Sequence, residues 1–152
     1  MANTYCQLFV HFVFAVQSRE SVIDASWRED LHRFVAGAVK TAGQRPLAVG
    51  GWRDHLHLFV GMKPTVAPSA LMADVKRASS VWVNQKKLCP GHFGWQAGFG
   101  AFSYAQSQVP TVVKYILGQE EHHRKMTFRE EYEAFLRKFQ VSYEGRYLFD
   151  EI

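Results

Sequence analysis

Arg45 to Met62, RPLAVGGWRDHLHLFVGM, is the stretch on which the fold turns. Two apolar runs flank the dipeptide Arg53-Asp54. Arg45 to Trp52 reads as a strand, Arg53-Asp54 as a tight turn, and His55 to Met62 as the hairpin partner. Side chains alternate along a strand, so Leu56, Leu58 and Val60 point into a core and His55 and His57 point the other way.

Working outward, Tyr5 to Val16 has the same period of two. Cys6, Leu8, Val10, Phe12, Phe14 and Val16 share one face, and His11 lies on the other with Tyr5 and Phe9. Trp27 to Thr41 is helical, with Ser26 as N-cap and Gly43 at its end. Ser69 to Leu88 is a second helix that turns Leu71, Met72, Val75, Ala78, Trp82 and Val83 inward. Trp95 to Tyr104 holds a strand loosened by Gly98 and Gly100. Gln108 to Arg124 is a third helix, with Pro110 accepted in its first turn, and Thr127 to Phe139 is a fourth. The order strand, helix, strand, strand, helix, strand defines an α+β chain of the ferredoxin-like, split βαβ kind. Residues 1–152 form one domain: an antiparallel sheet with two helices on one face and an added C-terminal helix for the chemistry. The first and third strands are central neighbours in that arrangement, which sets His11 near His55 and His57.

Composition narrows the function. The chain has 152 residues, 47% hydrophobic and 21% charged, ordinary for a soluble globular protein. A formal charge of +4 favours a polyanionic partner. Cys6 and Cys89 form no CxxC pair, so a reducing, cytoplasmic setting is expected. No apolar run reaches the roughly 18 residues of a membrane helix, and no membrane association is expected.

Two motifs carry chemistry. His55 and His57, at i and i+2 on a strand, can share one divalent ion, or can be polar residues on a wet sheet face. Tyr115 and Gln119 are one helical turn apart and can reach one pocket, or can be a core-edge tyrosine above a solvated glutamine. Val109, Val112, Val113, Ile116 and Leu117 form the apolar stripe beside them. A phenol with a pKa of about 10 is a weak nucleophile at neutral pH. It can attack a phosphodiester whose phosphate is polarised by a metal ion and held in line. Two imidazoles and an amide oxygen leave open positions for phosphate on magnesium or manganese, and no carboxylate need take part.

The chain resembles the HUH single-tyrosine transposases of small bacterial insertion sequences. The resemblance rests on His11-Phe12-Val13-Phe14, Asp54-His55-Leu56-His57-Leu58, Val75-Lys76-Arg77-Ala78-Ser79-Ser80, the run from Trp95 to Ser103, and the run from Lys114 to Lys125, in that order. It implies that His55, His57 and Gln119 bind a divalent metal, Mg2+ or Mn2+, and that Tyr115 is the nucleophile. It further implies cleavage and rejoining of single-stranded DNA through a 5′-phosphotyrosine, recognition of hairpins at element ends, a homodimer, and no nucleotide cofactor. REP-associated tyrosine transposases are relatives with the same chemistry on chromosomal palindromes.

Other residues have weaker expectations. Lys76, Arg77, Ser79 and Ser80 are candidate phosphate contacts on the second helix, and Arg19 and Arg53 are candidates in turns. His11 is an accessory candidate behind the histidine pair. His122 and His123 are read as surface residues, because Glu120, Glu121, Arg124 and Lys125 around them suggest a salt-bridged helix face. Two rival classes stand beside the transposase: a non-catalytic nucleic-acid-binding module on the same scaffold, and a metal hydrolase that cleaves without a covalent adduct.

Overall fold

The computed structural model describes residues 3–151. Four strands, β1 (Leu8–Ala15), β2 (Arg45–Gly51), β3 (His55–Met62) and β4 (Gly100–Tyr104), form one antiparallel sheet in the order β2-β3-β1-β4. This is the ferredoxin-like order, with β1 and β3 central. Their register pairs Val13 with His57 and Ala15 with His55.

The two faces of the sheet serve different purposes. Phe12, Phe14, Leu56, Leu58 and Val60 meet α1 (Ala25–Thr41) and α2 (Pro68–Gln85) in the main apolar core. The opposite face carries His11, Val13, His55, His57 and Phe59. It is covered by α3 (Val109–Leu117), the single turn α4 (Gln119–His122) and α5 (Phe128–Lys138). Among the described residues no helix is long and apolar enough to cross a membrane.

Several boundaries differ from the sequence expectation for local reasons. Helix α1 starts earlier, because Asp24 rather than Ser26 is its N-cap. The Asp24 carboxylate accepts from the Ser26 backbone N–H at 3.0 Å and from its hydroxyl at 2.6 Å. Strand β4 is confined to Gly100–Tyr104; Gly98 has φ +86°, and Trp95 reaches the sheet only as an isolated bridge to Val16. The expected third helix is two helices. Gly118 closes α3, its N–H donating to the carbonyls of Lys114 (3.1 Å) and Tyr115 (3.2 Å), and the chain restarts as α4.

Helix α3 lies close against β2. Val112 and Ile116 pack on Ala48 and Phe59, and a Cβ added at Gly50 would run into the Ile116 carbonyl. Backbone cannot yield there as a flexible side chain would. Gly50→Ala is therefore expected to push α3 off the sheet and cost about 1–3 kcal/mol. Chemical denaturation of the two proteins checks this, and an unchanged midpoint would show that α3 is not so tightly seated.

Helix α5 begins with a reciprocal cap. The Thr127 hydroxyl accepts from the Glu130 N–H at 3.2 Å, and the Glu130 carboxylate accepts from the Thr127 N–H at 3.3 Å. Its inward face is Phe128, Glu131, Tyr132, Phe135 and Leu136, with Leu148 and Phe149 of the tail packed alongside. Glu131 is the one charged residue on that face.

Candidate active site

The period of β3 puts His55 and His57 side by side, both fully buried, with ring centroids 5.0 Å apart. His55 Nδ1 lies 2.7 Å from the Asp54 carboxylate, and its Nε2 lies 3.0 Å from Oε1 of Gln119. His57 Nδ1 meets Nε2 of His11 at 2.7 Å, and its Nε2 meets Oε1 of Glu131 at 3.0 Å. His11 thus stands behind His57, stacked on its ring at 4.9 Å.

Two further groups enter the cluster, His123 from the end of α4 and Glu131 from α5. His123 Nδ1 donates to the Met126 carbonyl at 2.8 Å, and its Nε2 faces Oε1 of Gln119 (2.9 Å) and Oε1 of Glu131 (3.2 Å). Glu131, 2% exposed, joins the two halves of the site. Its Oε1 faces the histidines. Its Oε2 accepts from the Tyr115 hydroxyl and from the Gln119 amide N–H at 3.2 Å, and lies 3.1 Å from His122 Nε2. One ligand atom each from His55, His57, His123 and Glu131 lies within 4.8 Å of all the others.

The protons in this cluster can be counted. Burial would raise Asp54, but the hydrogen bond and charge of His55 hold it below its ordinary value, so it is a carboxylate and only accepts. The Met126 carbonyl also only accepts. Nδ1 of His55 and Nδ1 of His123 therefore carry protons and donate outward. Their Nε2 atoms face inward, towards the amide oxygen of Gln119 and the Glu131 carboxylate. Burial alone would raise Glu131. The charge of His57 and hydrogen bonds from His123 and His57 outweigh it and hold the carboxyl well below the usual range. Burial pushes His57 down, with Glu131 opposing only part of that shift. For His123 burial also pulls down, yet its hydrogen bond to Glu131 and the carboxylate's charge lift it above the ordinary value. The Gln119 and Glu131 oxygens gathered here call for positive charge. A proton on His123 meets part of that need, and a divalent ion meets all of it. The donor chemistry fits a metal.

Tyr115 sits at the edge of this cluster, half-buried. Its ring is edge-on to His57 at 5.9 Å and to Phe135 at 5.8 Å, and its hydroxyl also lies 3.3 Å from His122 Nε2. Burial, then the charge and hydrogen bond of Glu131, raise its pKa, so the phenol holds its proton at rest. A cleft of about 530 Å³ opens onto it, lined by Tyr104, Gln108, Thr111, His122 and Lys138 among others.

The sequence-derived residues divide. The structure brings His55, His57, Gln119, Tyr115 and His11 together. Helix α2 lies on the opposite face of the sheet, and its candidates for DNA contact are mostly spent within the fold. Ser79 is fully buried, donates to the Val75 carbonyl at 2.7 Å and accepts from Trp95 Nε1 at 2.9 Å, which corrects its reading as a phosphate contact. Ser80 donates to the Lys76 carbonyl at 2.7 Å, and Lys76 Nζ donates to the carbonyls of Gln96 (2.9 Å) and Gly98 (2.5 Å). Arg77 is exposed and paired with Asp74 at 2.8 Å. Arg19 and Arg53 are exposed. Of the two, Arg53 lines a hollow beside His123 with Arg124 and Lys125.

One further reading needs correction: His123 faces into the cluster rather than a salt-bridged surface, and a carboxylate, Glu131, lies there with it. Glu131 could have been found as the lone charge on the apolar stripe of the helix from Thr127 to Phe139. His123 could have been found too, since it lies one helical turn beyond Gln119 on the strip that carries Tyr115.

The family model described as Transposase IS200 like matches residues 4–119, and the chain belongs to that family. Two solved structures share the fold. A candidate transposase from Deinococcus radiodurans R1 is 17% identical over 76% of this chain and 93% of that one, with a TM-score of 0.63. A REP-associated tyrosine transposase bound to a REP hairpin is 13% identical over 76% of this chain and 68% of that one, with a TM-score of 0.54. No curated protein sequence matches the chain.

Proposed function

We propose that this transposase cleaves and rejoins single-stranded DNA through a covalent 5′-phosphotyrosine on Tyr115. The observation that carries the reading is the meeting of Tyr115 with His55, His57 and Gln119 inside one chain. A tyrosine placed for packing alone would have no need of a buried imidazole cluster at its hydroxyl.

In the forward step Oη of Tyr115 attacks the scissile phosphorus, an O–P bond to tyrosine forms, and the bond to the 3′-oxygen breaks. The Tyr115 hydroxyl is held by Glu131 Oε2 before reaction; its proton leaves to water as the O–P bond forms, and water returns one proton to the departing oxygen, leaving a free 3′-hydroxyl. In the reverse sense a 3′-hydroxyl attacks the phosphotyrosine and restores both phosphodiester and tyrosine. One phosphate ester replaces another, so neither ATP nor any nucleotide cofactor is needed. A divalent ion, magnesium or manganese, held by His55, His57 and Gln119 would polarise a non-bridging phosphate oxygen. His11 and Asp54 keep His57 and His55 turned towards that position. Joining two element ends needs two tyrosines, which a homodimer supplies. The hairpin in the REP-associated neighbour supports hairpin ends as the substrate.

Asp54→Asn keeps the shape but weakens the outward pull on the His55 proton. It is expected to lower metal affinity about 10–100-fold, measured by manganese titration; unchanged affinity would show that Asp54 does not orient a ligand.

The test of function is incubation with labelled single strands from the genomic flanks of the gene, with Mg2+ or Mn2+. A slow-migrating covalent product, and a shorter strand with a 3′-hydroxyl, are expected on hairpin-bearing strands. Tight binding with no cleavage of any flank strand under either ion would contradict the proposal and favour a binding module.

A further inference from the structure

We propose that His123 and Glu131, beyond the segment matched to the family, are metal ligands, and that they make the site selective for a transition-metal ion over magnesium. The inference rests on the metal-dependent reading above.

Distances carry it first. Ligands about 2.1 Å from a common ion, at angles between a right angle and the tetrahedral one, lie about 3.0–3.4 Å from one another. Oε1 of Glu131 lies 3.0 Å from His57 Nε2, 3.4 Å from His55 Nε2 and 3.2 Å from His123 Nε2. Oε1 of Gln119 lies 3.0 Å from His55 Nε2 and 2.9 Å from His123 Nε2. These five separations fall in or next to that range, so small side-chain adjustments within a cluster spanning at most 4.8 Å would close it around an ion. The outward bonds agree. His55 and His123 each fix the remote ring nitrogen on an acceptor, as metal-bound histidines do, and point the other at the shared centre.

Ligand type carries it further. Three imidazole nitrogens, one carboxylate oxygen and one amide oxygen are a nitrogen-rich set. Magnesium prefers an all-oxygen octahedron and retains several waters, whereas affinity for mixed nitrogen and oxygen sites climbs through the first-row metals from manganese to cobalt, and imidazole suits zinc. Glu131 sits on α5, so the ion would also tie that helix to the sheet, next to Tyr115.

The experiment is calorimetric titration of the full chain with Mn2+, Co2+ and Mg2+, with the visible absorption of bound Co2+ as a second readout. Wild type is expected to bind Mn2+ and Co2+ at least tenfold more tightly than Mg2+. Glu131→Gln and His123→Gln should each weaken Co2+ at least tenfold and alter its spectrum. Amide exchange of α5 in the wild type should slow on adding Mn2+, a readout that needs no variant. Equal or tighter Co2+ binding by E131Q, or α5 exchange indifferent to the ion, would overturn the proposal; Glu131 would then be an internal cap. So would Mg2+ binding as tightly as Mn2+. If H57A loses binding while E131Q and H123Q keep it, this inference fails and the three-ligand reading stands. If wild type binds none of the three ions, both fail.

Discussion

Tyr115→Phe is expected to abolish the covalent protein–DNA product and reduce strand cleavage by at least about a thousandfold, the scale on which loss of a nucleophile acts. The change removes one oxygen. The ring keeps its contacts with His57 and Phe135, and the Glu131 carboxylate keeps His57 and His123 as partners. Fold and single-strand affinity should stay within about twofold of wild type, since neither the phosphate charge nor the basic surface changes. Denaturing gels measure the adduct and filter binding the affinity. Cleavage that survives in the variant would point to a hydrolase using water, and Tyr115 would then be a packing residue.

His57→Ala is expected to have the second-largest effect, on activity and on stability together. His57 is fully buried and bridges His11 to Glu131. Its removal leaves a cavity, strips His11 of its partner, and deprives Glu131 of an imidazole close to its charge. Among the described residues Nδ1 of His11 has no hydrogen-bond partner and the bond to His57 is the ring's sole side-chain one, so the ring would lose it. The cost should be about 2–5 kcal/mol. The same variant should lose adduct formation about a thousandfold, because the proposed metal site loses a ligand. Thermal melting checks the first effect and the gel assay the second. Full stability in His57→Ala would mean that the buried polar network is not what holds α5 to the sheet.

The sheet could be read from the sequence because its physics is local. The alternation in Arg45 to Met62 fixed both the hairpin and the opposite directions of Leu56 and His57, and β3 runs His55–Met62 as expected. The central pairing of β1 with β3 followed from the element order and set His11 beside His57. Where tertiary context overrides a local pattern, reading failed. Arg124 does form exposed charged pairs with Glu120 and Glu121, but His123 faces inward beside them, one turn beyond Gln119. Ser79 looked like a neighbour of Lys76 and Arg77 on a basic face, yet the helical period places it on the buried stripe with Leu71, Met72 and Val75. Glu131 was legible in principle. A carboxylate at a core position of an amphipathic helix must find a strong partner, and here it finds four histidines, a tyrosine and a glutamine.

The measurement that tests covalent catalysis most directly is mass spectrometry of the denatured, protease-digested product of the protein with a flank-derived single strand and manganese. The expected result is a peptide containing Tyr115 that carries the downstream nucleotides through a 5′-phosphate ester on the phenolic oxygen. A nucleotide attached to any other residue, or cleaved DNA with no protein attached, would contradict it.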